Sequence, residues 1–152
     1  MKYVYDDGGR AAAGFRGKAG DCVARSIAIA SGKHYTEVYD ALAAGMGSQR
    51  KATKGRSARN GVSTSRKWFK NYMASLGFKW VPTMGIGTGC KVHLRADELP
   101  AGRLVVAVSK HYTAVIDGAI HDTHDPQRLA FGTSSDAEDI QGTRCVYGYW
   151  YA

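Results

Sequence analysis

Residues 110–126 read KHYTAVIDGAIHDTHDP, with His111, His121, Asp122, His124 and Asp125 gathered around a short apolar run. An imidazole held by a carboxylate is half of a nucleophilic triad, because the acid orients the ring and stabilises its protonated form. Which of these side chains can pair depends on the turn between them. Asp117-Gly118 suits a two-residue type I′ hairpin, which needs positive φ at both positions. Counting outward from that turn pairs Ile116 with Ala119, puts Thr113 opposite Asp122, and puts His111 opposite His124. Side chains alternate along a strand, so His111, Asp122 and His124 share one side while His121 and Asp125 point to the other. His111 and Asp122 are then diagonal neighbours, with β-carbons about 7–8 Å apart or less.

The missing member is a group whose proton the imidazole can take, and Cys22 is the best candidate. In GDCVARSIAIASG, residues 20–32, Asp21 is placed to cap a helix, Val23, Ile27 and Ala30 recur at helical spacing, and Gly32 is placed to end it. Cys22 therefore falls in a first turn, where the helix dipole favours a thiolate. Arg25, one turn along, adds to that effect; Asp21 opposes it unless capping amides or Arg25 occupy its carboxylate. A cysteine on a helix is more often a small buried hydrophobe. The first-turn position, the glycine-rich approach and the matching hairpin set Cys22 apart. Cys90 and Cys145 lie within strand-like runs and are read as core residues.

These groups need a frame to hold them. The 152 residues, 44% of them hydrophobic, suffice for a single domain. The opening KYVY predicts a short strand, and the glycine-rich stretch to Gly20 a loop. Thr36 is placed to cap a second helix over EVYDALAAGMG, and a third is predicted from Thr64 to Leu76, with Phe69, Tyr72, Met73 and Leu76 on its apolar face. After Gly77 come the β-rich runs FKWV, CKVHL, RLVVAVS, HYTAVI, AIHDT and RCVYGYWY. Helices first and strands after indicate an α+β domain with a largely antiparallel sheet.

The order of a Cys at the start of a helix, a later His at the start of a strand and an Asp on the next strand resembles the papain-like cysteine peptidases. HYTAVIDGAIHDTHD is similar to the His strand and Asn strand of that superfamily. GDCVARSIAIASG with ELPAGRLVVAVSKHYTAVIDG is similar to small phage-encoded members, and the likeness spans most of the chain. It implies a papain-like fold of N-terminal helices on a C-terminal sheet. It also implies cleavage of a peptide, isopeptide or related amide bond, with Cys22 as nucleophile, His111 as base and acid, and Asp122 as orienting group. One departure is clear: the oxyanion-hole Gln usual six residues before the Cys is replaced by Arg16. Asp125 is the rival acid, since the DP after a strand is similar to the acidic member of bacteriocin-processing peptidases; parity favours Asp122.

Charge and cysteine usage bound the partners. The formal charge is +8, and no acidic residue lies between Asp40 and Asp97. Arg50, Lys51, Lys54, Arg56 and Arg59 crowd a loop at about residues 48–62 that has almost no apolar residue. Such a loop is expected to hold an acidic protein or peptide substrate; the alternative is a binding protein with a silent thiol site that holds nucleic acid or an acidic protein partner on this loop. Three cysteines without CxxC spacing argue against a disulfide framework or a four-thiolate zinc site, and leave at least one thiol free. His121 and His124 face opposite ways on an extended strand, so no metal and no cofactor is expected. GIGTG at 85–89 lacks the Lys-Ser/Thr pair of a phosphate loop. With no bilayer-length apolar run and no signal-peptide pattern, the chain is expected in the cytoplasm, that of a bacterial host if phage-encoded.

Overall fold

Leu104 to Val108 is an apolar run without alternation, the pattern of a strand covered on both faces. In the computed structural model, which describes residues 1–17, 19–48, 57–59, 61–128 and 142–152, that run lies inside a six-stranded sheet. The elements in chain order are β1 (Lys2–Tyr5), α1 (Cys22–Ser31), α2 (Tyr35–Ser48), α3 (Lys67–Ser75), β2 (Lys79–Pro82), β3 (Arg103–Val108), β4 (His111–Ile116), β5 (Ala119–Asp122) and β6 (Val146–Tyr151). The strand order is β1-β5-β4-β3-β6-β2. All neighbours are antiparallel except β1 and β5, so the fold is α+β with helices before most of the sheet, as the sequence indicates.

Two cores flank the sheet. Ile27, Val38, Leu42, Phe69 and Met73 pack with Val105 and Trp150 on the helical side. Leu94 and Leu99 cover Leu104, Val106, Val115 and Ile120 on the other. Helix α1 is buried from Val23 to Ala30, as befits a helix apolar around most of its circumference. Gly32 ends it at φ 71°, its N–H bonding Ala28 O. The predicted α2 and α3 starts shift for local reasons. The His34 ring accepts from the Thr36 N–H (3.2 Å), so α2 begins at Tyr35. Arg66 is extended, so α3 begins only at Lys67. An added Cβ at Gly45 of α2 would fall 2.1 Å from the Trp68 ring, so this glycine is what lets α3 approach.

Asp21 occupies the α1 N-cap position, but contrary to expectation its side chain bonds no first-turn amide. Its buried carboxylate is instead paired with Arg25, accepts from the Tyr35 hydroxyl at 2.6 Å, and lies 3.5 Å from Arg10. Charges taken out of water are held more strongly by formal partners than by neutral amides, which is why the arginines win. Arg10 also donates to Arg16 O and Gly17 O, tying the glycine-rich loop to the start of α1. Tyr35→Phe should therefore lower stability by about 2 kcal/mol, the usual loss for a hydrogen bond to a buried charge, measured by urea unfolding. A loss within error would mean water replaces the hydroxyl.

Two further expectations are corrected. CKVHL does not form a strand; it meets the residue before β6 only through an isolated bridge between His93 and Cys145. Nor are Cys90 and Cys145 two core thiols, because they form a disulfide, with Cys90 exposed. The segment after β2 runs back along β6, with Thr83 and Met84 N–H groups on Tyr147 O and the Val146 N–H on Val92 O. That course brings the two Cα atoms to 5.8 Å. Such bonds persist in oxidising surroundings, so this one lends nothing to a cytoplasmic location. Cys22 is the free cysteine. At the far end of the basic loop, Ala58 and Val62 join the helical-side core. Among the described residues no helix is long and apolar enough to cross a membrane.

Candidate active site

The Asp117-Gly118 turn forms as its residue types demand, at φ 47° and 79°. Its ladder runs Ile116↔Ala119, Val115↔Ile120 and Ala114↔His121, the register counted from the sequence. There the pairing ends, short of the Thr113–Asp122 and His111–His124 pairs to which the count extends. Beyond it the N-terminal end of α1 packs against β4, and the backbone N–H of Tyr112 donates to the Cys22 sulfur. At the other end of β4, Ser109 and Lys110 make a tight turn with Lys110 at φ 56°, a conformation uncommon for a long side chain. Arg144 clamps that turn, donating to Ser109 O (2.6 Å) and to Pro126 O (2.8 Å). It thereby ties the residue just before the His strand to the segment that follows β5.

His111 Nε2 lies 2.7 Å from Asp122 Oδ2, and the imidazole also hydrogen-bonds the Cys22 side chain, which leaves Nδ1 for the sulfur. Asp122 is 3% exposed; its other oxygen accepts from the Thr123 N–H at 2.7 Å and lies 3.7 Å from Arg25 Nη2. Arg25 is thus shared between Asp21 at the helix start and Asp122 on β5, and couples the two halves of the site. Burial by itself raises the Asp122 carboxyl, but the hydrogen bond and charge of His111 outweigh it, so the group is held below its usual range.

The sulfur and the ring shift as a pair. Burial works against the Cys22 thiolate, yet the His111 hydrogen bond, the Tyr112 N–H, and the charges of His111 and Arg25 together lower its pKa. Burial likewise works against the imidazolium, and the Asp122 and Cys22 hydrogen bonds overcome it, raising His111 to about 9. Both shifts favour thiolate beside imidazolium, and the two protons titrate as a pair.

Of the residues singled out from sequence, Cys22, His111 and Asp122 come together. Asp125 does not join them; it accepts from Gln127 in a turn at 3.0 Å. His121 faces away, 3.5 Å from Asp6. Arg50, Lys51, Lys54 and Arg56 lie outside the described residues. Arg59 is exposed, and a Cβ added at Gly17 would lie 3.7 Å from its guanidinium, which puts Arg59 at the rim of the cleft over Cys22. That cleft, about 890 Å³, is lined by Arg10, Arg25, Lys110, His111 and His124 with Cys22, and by Asp21, whose charge is met by Arg10 and Arg25. Arg16, at the position of the usual Gln, is exposed and offers its carbonyl to Arg10.

His124 stacks on His111 with ring centroids 4.8 Å apart, and His111, Asp122 and His124 present ligand atoms within 4.8 Å of one another. The His111–Asp122 contact at 2.7 Å is a hydrogen bond, and Arg25 sits beside the carboxylate; both fit proton transfer better than cation binding. Sequence reasoning passed over the Tyr112 amide, Arg10, Lys110 and Arg144. The first was findable as the residue after the His, but the others carry no local signal. Comparison with protein-family models, curated proteins and solved structures gives no match.

Proposed function

We propose that the chain is a cysteine-dependent hydrolase of papain-like type that cleaves a peptide, isopeptide or related amide bond. The observation that carries this reading is a partly exposed sulfur hydrogen-bonded to a ring whose far nitrogen is held at 2.7 Å by a buried carboxylate. In that arrangement the thiolate attacks the carbonyl carbon, His111 gives its proton to the departing amine, and a thioester remains on Cys22. Water then attacks the thioester with His111 as base, releasing the acid and restoring the ion pair. The Cys22 amide, at the open end of α1, is the natural first donor to the oxyanion.

Iodoacetamide tests the pair without knowledge of the substrate. Only the thiolate reacts, so alkylation of Cys22 should persist below the ordinary thiol value of about 8.5 and fall off as pH drops through its lowered pKa. Peptide mass mapping should place the label on Cys22, since Cys90 and Cys145 are joined to each other and hold no thiol. A rate that titrates at the ordinary value would remove the support for an activated thiol.

A further inference from the structure

The sulfur has a second cavity beside it, on the side away from the arginines. A groove of about 620 Å³ runs from Cys22 and His111 past Val62 and Thr64 to Trp80 and Tyr147. It shares Thr64, Trp80 and Tyr112 with a pocket of about 610 Å³ walled by Phe78 and Trp150. The wall is built for this shape. Trp80, on edge strand β2, stands 5.3 Å from Trp150, and its ring occupies the space over Gly148, where an added Cβ would fall 2.3 Å from it. Although Trp80 is 41% exposed, it caps no core of its own. Lys70 and Lys79 line this pocket and no acidic residue does. Lys110, which lines both this groove and the basic cleft on the opposite side of Cys22, makes no ion pair among the described residues, and Arg59 stands at the cleft's rim.

We propose that the Trp80–Trp150 pocket takes a large apolar or aromatic side chain of a peptide substrate, on one side of the bond cleaved at Cys22. The basic cleft takes an acidic side chain on the other side. This rests on the hydrolase reading above and names its substrate class. Apolar side chains leave water for such a slot, and aromatic rings gain further from edge and offset contacts with the two indoles. The cleft adds selection by charge, with Lys110 drawing a carboxylate and opposing a lysine. Continuity of the pocket with the sulfur through Thr64 and Tyr112 is what makes it a substrate subsite rather than a separate one.

A panel of internally quenched peptides tests this on the intact protein, with Phe, Leu, Ala or Lys on one side of the scissile bond and Glu, Gln or Lys on the other, in both orders. In one order, kcat/KM for the Phe and Glu combination should exceed that for Ala and Lys by about 100-fold, tenfold from each position. The charge-dependent part should shrink as salt rises. Ala74→Phe, an exposed α3 position on the pocket wall, should erase the preference for Phe, and iodoacetamide alkylation of Cys22 in that variant reports separately on the thiolate. If peptides are cut with no preference for an aromatic residue at any position, the subsite assignment is wrong while the hydrolase stands. If no peptide in the panel is cut although Cys22 alkylates, hydrolysis of peptides is itself refuted, and the subsite with it.

Discussion

Cys22→Ala is expected to lower turnover of any peptide that the wild-type chain cuts by about 10⁴-fold or more, the usual consequence of removing the nucleophile of a triad. In the proposed mechanism this residue makes the thioester, and among the described residues no neighbouring side chain can take over: Asp21 is sealed in its ion pairs, and the other two cysteines are joined to each other. The fold should persist, because the change removes one sulfur from a partly exposed first-turn position and leaves the apolar face of α1 intact. Circular dichroism and urea midpoints compared with wild type check that part. Activity within tenfold of wild type would place the chemistry elsewhere.

Asp122→Asn should act through charge. An amide can still accept from the ring, so orientation is partly kept, but the anion that lifts His111 to about 9 is gone. For the wild type, kcat/KM should rise as pH climbs through the lowered Cys22 pKa and the thiolate forms. It should fall above about 9, as the imidazolium loses the proton that the leaving amine needs. In the variant the alkaline limb should move down toward the ordinary histidine value of about 6.5, and the thiolate should become harder to form, narrowing the bell from both sides. The expected loss at pH 8 is about 10²- to 10⁴-fold, the range seen when the acid of a triad is neutralised. Arg25 also loses part of its compensation, so a modest loss of stability should accompany the change. An unshifted alkaline limb would mean that the aspartate does not set the imidazole.

Arg25 matters although it touches no reacting atom. It is the one described cation that contacts both the Asp21 carboxylate and the triad acid, and so it locks α1 to β5 at the point where the sulfur must meet the ring. In the sequence it stands simply one turn after a cysteine. Its double attachment depends on where β5 ends.

What could be read along the chain is what short-range geometry governs. The Asp-Gly turn sets the hairpin register, and alternation then puts His111 and Asp122 on one side, since strand parity is a local property; His124 joins them from beyond the end of β5. A cysteine just after a cap position with a helical apolar pattern behind it likewise lies in a first turn whatever the rest of the protein does. Only the tertiary structure decided that α1 meets β4 where the ladder has ended. The same is true of Asp21 joining two arginines and a tyrosine instead of capping, of β1 adding in parallel beside β5, of Cys90 meeting Cys145, and of Trp80 lying over Gly148 to wall a pocket. Each of these brings together groups whose partners are chosen by how whole elements pack, and packing is set by the summed burial of distant apolar faces, which no short window of sequence contains.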